Sequence, residues 1–388
     1  MNIKEETKQI LSEVIRWRRD LHRIPEIGFE LNQTKAYIWN VLSGFGLAPE
    51  EIGGGIIADI KGTGPGMTVA LRADMDALPV AEETGLEFAS VNGNMHACGH
   101  DAHSAALLGT AKLLLRHKKD FSGCVRFIFQ PAEELGTGAK RMIEAGVLDG
   151  VDEILGAHVG GICKADAPGV ISFKSGRTMS CMDRFIIEVR GAGAHGSAPE
   201  KAIDPIVAAS NIVTALQTIV SRELDPIDSA VVSVCRFHAG NAFNVIPDSV
   251  QIEGTIRAFT GEIREHLSKS IERIASDIAA AYRAKILYRF LMQPPPVIND
   301  PDVTKKAFLV GQELYGEDAR ELQIPSMVGE DFSWYLEHVP GTYFFLNNLA
   351  CTDGKVWQHH TSRFDLQEQY LDRVSCIMAA YVLKYMAV

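Results

Sequence analysis

RFIIEVRG (184–191), DPIVAASNIVTALQTIVSR (204–222), SAVVSVCRF (229–237), VQIEGTIRAF (250–259), EIREHLSKSIERIASDIAAAYR (262–283) and AKILYRF (284–290) follow one another along the chain. Four are short runs of strand character and two are long, helix-like segments. Their order, strand-helix-strand-strand-helix-strand, is the split-βαβ, ferredoxin-like arrangement.

Outward from this block the pattern changes. QPPPVIND (293–300) is a Pro-rich break that reads as a linker, and α/β character resumes after it. Upstream, residues 6–25 read as a helix stopped by Pro25, and 34–46 as a second with Gly44 or Gly46 near its end. Strand-like IIADIKG (56–62), MTVALRAD (67–74), CVRFIFQ (124–130) and EILGAHV (153–159) alternate with helix-like SAALLGTAKLLLRH (104–117) and GAKRMIEAGVL (138–148). Near-continuous apolar strands separated by helices indicate a mostly parallel sheet covered on both faces. The expected fold is therefore α/β: a discontinuous catalytic domain, 1–178 and 293–388, with a small α+β domain, 179–292, inserted into it. The chain has 388 residues and is 46% hydrophobic, enough for a buried core in each part.

The formal net charge is −11 and no run of Lys or Arg offsets it, which argues against nucleic acid or an anionic membrane surface as partner. The opening MNIKEETKQI is charged where a signal peptide needs an apolar stretch, and no long apolar run follows, so a cytoplasmic location is expected. Seven scattered cysteines do not suggest a disulfide framework.

Four of the twelve histidines and seven cysteines fall within MHACGHDAHS (95–104): His96, Cys98, His100 and His103. Cys98 and His100 flank one glycine between a strand and a helix. Asp74 and Asp76 end TVALRADMDALP, Glu133 and Glu134 follow VRFIFQPA, and His158 ends EILGAH. In open α/β sheets ligands sit beyond the carboxyl ends of the strands. Thiolate, imidazole and carboxylate gathered there suit zinc or manganese better than calcium or magnesium. Taken singly these residues have plainer explanations: a buried thiol, a helix start that favours acids, a core histidine. GGGI (53–56) and GTGPG (62–66) hint at a phosphate cradle but read as turns.

RADMDALP, NMHACGHDAH, FQPAEE, GAHV, GAGAHGSAP, NVIPDSVQIEGTIR and GEDFSWYL, in this order, resemble the M20 metallopeptidase family across essentially the whole chain. The likeness is to its amidohydrolase branch of hippurate hydrolases, N-acyl-amino-acid deacylases, N-acetyldiaminopimelate deacetylases and plant auxin-conjugate hydrolases. The resemblance implies a catalytic domain with one or two divalent ions (zinc or manganese, with cobalt or nickel as alternatives) and an inserted ferredoxin-like lid that dimerises. It implies Cys98, His100, Glu134, His158 and His360 as ligands, Cys98 standing where other branches use a bridging carboxylate. WQHHTSRFD (357–365) offers both His359 and His360; the resemblance favours the second, which keeps the family's spacing to Phe364. Asp76 falls on the family's orienting aspartate and Asp74 where relatives carry a ligand histidine, and both stay as candidates. His96 and His103 fit as supporting or helix-start residues.

By the same resemblance Glu133 is the general base and His195 donates to the oxyanion across the dimer. Asn244 and Arg257 receive the substrate carboxylate. GEDFSWYL (329–336) reads as the start of a helix whose N-terminus lies near the site, with Gly329 and Glu330 lining it. The expected reaction is hydrolysis of N-acyl-L-amino acids, N-acetyldiaminopimelate being the narrowest alternative substrate. Two other classes stay open: a metal-independent thiol hydrolase using Cys98 as nucleophile, and a non-catalytic binding module on the same fold.

Overall fold

The computed structural model describes residues 2–163, 167–352 and 354–388. They form two compact units, one containing the chain up to Thr178 with Val297–Ser326 and Glu330–Val388, the other Met179–Pro296 with Met327–Gly329.

The first unit is built on an eight-stranded sheet. Its four central strands, Cys124–Gln130, Thr68–Asp74, Glu153–Gly160 and Gly341–Asn347, lie side by side in that order and run parallel. Gly55–Lys61 and then Glu50–Ile52 extend one edge in antiparallel fashion. Ile171–Phe173, antiparallel to its neighbour, and then Ala319–Glu321 extend the other. Glu153–Gly160 is buried at every position, and Thr68–Asp74 at all but the first. Both side-chain rows of a central strand meet covering elements, so such strands read as continuous apolar runs. Helices Ile3–His22, His100–Arg116 and Asp372–Tyr385 pack on one another. Val14, Trp17, Leu71, Leu107, Leu108, Phe127, Phe344 and Ile377 belong to the shared core, each fully buried side chain contributing about 1.5–3 kcal/mol.

In the second unit an antiparallel sheet orders Ala230–Ala239, Ser249–Ala258, Asp183–Arg190 and Lys285–Leu291. Helices Pro205–Thr218 and Gly261–Ala281 pack against it. The Asp204 carboxylate accepts the N–H groups of Ile206 and Val207, and Thr260 caps the second helix through Ile263. The first helix is shorter than its sequence run, because Ile219–Glu223 winds into a π turn. Phe185, Ile187, Val189, Ile252, Ile256, Leu267 and Ile271 form this unit's own core.

Both glycine-rich stretches are turns. Gly53 and Gly54 join two antiparallel strands, and past Lys61 the amides of Gly62 and Thr63 bond the carbonyls of Gly123 and Phe121. GEDFSWYL yields only a four-residue helix, Ser333–Leu336. Among the described residues no helix is long and apolar enough to cross a membrane.

Candidate metal centre

Asp74, the turn after Gln130, and His158 lie at the carboxyl ends of three adjacent parallel strands, where backbone groups and loops converge in this architecture. Between the first two in sequence lies Gly99, with φ +92°. A Cβ there would meet Val159 Cγ2 at 2.9 Å, so only glycine passes this point without strain. The turn it permits starts the helix at His100 and sets Cys98 beside it.

Backbone carbonyls fix the ring tautomers. His100 Nδ1 donates to the Asp76 carbonyl (2.9 Å) and His158 Nδ1 to the Val159 carbonyl (2.6 Å). In the neutral ring each Nε2 then carries the lone pair, the form that binds a cation. His158 Nε2 lies 3.5 Å from Cys98 Sγ, and His360 Nε2 lies 3.3 Å from Glu134 Oε1. Among the described residues, five sets of donor atoms each lie within 4.8 Å of one another: Cys98, His100 and His158; Cys98, Glu134 and His360; His100, Glu133 and Glu134; Asp74, His100 and His103; Asp74, Glu133 and Glu330. The five side chains expected as ligands therefore sit together, with Glu133 beside them. His100 Nε2 is buried and makes no hydrogen bond, a cost of about 1–3 kcal/mol that a cation would remove. The donor set of thiol, imidazole and carboxylate fits a first-row divalent ion.

His359 and His360 play different parts. His360 has φ +64°, is half-exposed at the side chain and turns its ring toward Glu134. His359 is half-buried, accepts the Gly161 N–H at Nε2 (3.0 Å) and packs on Phe364 and His158.

The two aspartates also separate. Asp76 is buried and uses both oxygens on the peptide N–H groups of Glu133 (3.0 Å) and Glu134 (3.2 Å). Asp74 accepts from His103 Nδ1 (2.6 Å) and Arg72 Nη1 (2.9 Å). His103 accepts the Val159 N–H at Nε2, which leaves its proton on Nδ1. His96 is buried with neither ring nitrogen partnered, and burial lowers its pKa to about 3.

Charge is concentrated here. Burial pushes Glu133 well above the ordinary carboxyl range, helped by Glu330 and Glu134. Burial opposes a charge on His100, yet Asp74, Asp76 and Glu134 push its pKa up to about 10. Burial opposes ionisation of Asp74, but His100, His103 and Arg72 hold it well below its usual value. The Cys98 thiol is driven well above its usual range by burial, then by Glu134 and Glu133. A proton held so firmly on His100 marks a strong negative potential, one that a dication would also neutralise.

The remaining expected residues belong to the second unit. His195 and Asn244 are neighbours there: Val245 pairs with His195, and Gly196 N donates to the Asn244 carbonyl (2.8 Å). His195 Nδ1 accepts the Ser197 N–H, which leaves the proton on Nε2. Arg257, half-buried on its strand, bonds the neutral Thr255 hydroxyl and Ile256 carbonyl. Gly329 has a packing reason, since a Cβ would meet Met182 Cγ at 2.1 Å.

The sequence model of peptidase family M20/M25/M40 matches residues 70–384. This chain belongs to that family. Among M20 relatives, the N-acetyl-L-cysteine deacetylase of Bacillus subtilis (strain 168) is 41% identical over 396 residues, 99% of this chain and 90% of the relative. The N-acyl-L-amino acid amidohydrolase of Geobacillus stearothermophilus is 44% identical over 306 residues, 76% and 81% of the two chains. The YXEP protein of Bacillus subtilis, a dinuclear metal binding peptidase of family M20, superposes with a TM-score of 0.84 at 37% identity, covering 98% of this chain and 99% of that one.

This M20 site also holds residues that the motif reading passed over: Arg72, Gln130, Asp331 and Tyr343. One signal was available. An arginine inside TVALRAD, a strand apolar enough to be buried on both faces, has to find partners there.

Proposed function

We propose that this M20 protein is a metal-dependent amidohydrolase that cleaves the amide bond of N-acyl-L-amino acids. The observation that carries this is the convergence of Cys98, His100, Glu134, His158 and His360, with the His100 Nε2 buried and unpartnered, around Glu133. The names of the deacetylase and amidohydrolase relatives support the substrate class.

When bound, a divalent ion supplies a water of pKa near 7 and polarises the scissile carbonyl. Glu133 takes a proton from the attacking water and later delivers it to the leaving amine nitrogen. Asp76 keeps Glu133 and Glu134 side by side through their peptide N–H groups, so that one glutamate coordinates while the other shuttles. As the family resemblance implies, His195 offers its Nε2–H to the oxyanion across the dimer, a donor of a kind whose removal elsewhere costs about 10²–10³ in rate. Arg257 and Asn244 receive the free carboxylate, the guanidinium matching it with two parallel hydrogen bonds. Zinc or manganese as the ion, assembly through the inserted unit, and a cytoplasmic location belong to the same proposal.

The thiol-hydrolase reading runs against the site's charge. A nucleophilic cysteine needs a lowered pKa, and here burial with Glu134 and Glu133 raises it. The test is hydrolysis of a panel of N-acetyl, N-benzoyl and N-indoleacetyl amino acids, with N-acetyldiaminopimelate included, on protein of measured metal content. Chelation is expected to abolish activity and added manganese or zinc to restore it. Full activity without metal, or a trapped acyl-Cys98, would overturn the proposal.

A further inference from the structure

We propose that Arg72 is a positioning residue for Glu133, acting through the turn at residues 330–332; the inference rests on Glu133 being the base. Arg72 lies in the strand Thr68–Asp74 and is only 1% exposed. A guanidinium is expensive to bury unless its donors are engaged, and here they are. Nε donates to Gln130 Oε1 (2.8 Å), Nη1 to Asp74 Oδ2 (2.9 Å), and Nη2 to both Glu330 Oε1 (3.0 Å) and Asp331 Oδ1 (2.9 Å).

These contacts tie the turn down from several sides. Gln130 Nε2 donates to the same Asp331 oxygen (2.7 Å), and the other Asp331 oxygen accepts the Ala139 N–H (3.0 Å). Glu330 Oε1 also accepts the Phe332 N–H (3.0 Å), and Glu330 Oε2 the Tyr343 hydroxyl (2.7 Å). Held in this way, the peptide N–H of Asp331 is directed at Glu133 Oε1 (3.4 Å).

Charge points the same way. Carboxylate oxygens of Asp74, Glu133 and Glu330 lie within 4.8 Å of one another. Carboxyl groups so close repel when ionised unless a cation stands among them, and Arg72 pairs directly with two of the three. Its four hydrogen-bond partners include none of the five side chains proposed as ligands. Arg72 therefore shapes the base and leaves the cation's donors alone.

The experiment is a double-mutant cycle of Arg72→Lys and Glu133→Gln on metal-loaded protein, reading kcat, KM, bound metal by mass spectrometry and thermal melting. Lysine keeps the charge and loses the fork. Arg72→Lys is expected to lower kcat by about 10²-fold, the scale of a displaced catalytic group, with KM within about twofold and metal content unchanged. In the Glu133→Gln background it should cost nothing further, which a merely structural role would not produce. An equal loss in both backgrounds, loss of metal, or unchanged kcat would overturn the proposal. If Glu133→Gln is itself as active as the parent, the base assignment fails and takes this inference with it. Should Arg72→Lys fail to fold, Tyr343→Phe enters the same cycle: it frees one Glu330 oxygen and should give a smaller kcat loss that also vanishes without Glu133. Equal losses in both backgrounds, or no kcat loss, would overturn the proposal there too.

Discussion

Replacing Asp76 by asparagine keeps the side chain's shape and removes one of its two acceptors. In the parent both oxygens receive peptide N–H groups, from Glu133 and from Glu134. In the variant an amide NH₂ must face one of those N–H groups, and the remaining bond loses its charge assistance. A hydrogen bond to a charged group contributes about 1.5–3 kcal/mol, and weakening the second brings the total to about 2–4 kcal/mol. If that loss falls on the transition state it corresponds to a drop of about 30- to 1,000-fold in kcat/KM. The assay is steady-state hydrolysis of an N-acetyl amino acid, with bound metal and melting temperature measured on the same sample. Activity is expected to fall by about two orders of magnitude and metal to bind less tightly, since Glu134 moves with its backbone. Asp74→Asn should act mainly on stability, because Asp74 serves His103 and Arg72. Asp76→Asn activity within twofold of the parent, with metal unchanged, would refute the reasoning.

Gly99→Ala places a side chain at φ +92° and 2.9 Å from Val159 Cγ2; chemical denaturation should show a loss of at least about 1–2 kcal/mol, with weaker metal binding by titration. His360→Ala should lower bound metal with little change in the metal-free melt, whereas His359→Ala should lower the melt by removing a half-buried ring that accepts the Gly161 N–H and packs on Phe364. Buried His22 bonds Asp101 and Glu82; burial opposes its charge, but these partners raise its pKa from 6.5 to about 9. The folded pKa lies above the unfolded one, so this stabilisation is complete below pH 6.5 and is lost as pH rises through about 9. Denaturation across pH 6.5–9 should show that loss, and His22→Gln should flatten it.

The two-part chain was legible because each part obeys a different rule. Strands buried on both faces read as apolar runs, and the βαββαβ order of 184–290 follows from strand and helix segments whose lengths hardly overlap. Element ends were less legible. The run at 204–222 continues in helical composition past Thr218, while the structure closes it with a π turn, a choice made by packing within the second unit. GEDFSWYL resembles a helix start, yet Glu330 and Asp331 are drawn into bonds with Arg72 before the four-residue helix begins. A buried arginine was visible in TVALRAD. Its partners were not, since Glu330 lies 258 residues further along the chain.

What the sequence determined by itself is the inventory: which donors fall at which strand ends, since strand ends follow from local hydrophobic pattern and glycine placement. Only the tertiary structure decided how those donors divide the work. Which nitrogen of His100 or His158 keeps a lone pair depends on carbonyls at Asp76 and Val159. Whether Asp74 or Asp76 supports the glutamates, and which of His359 and His360 faces Glu134, depends likewise on who is near whom. Hydrogen bonds and charges act over a few ångströms in space, and chain spacing alone does not fix those distances.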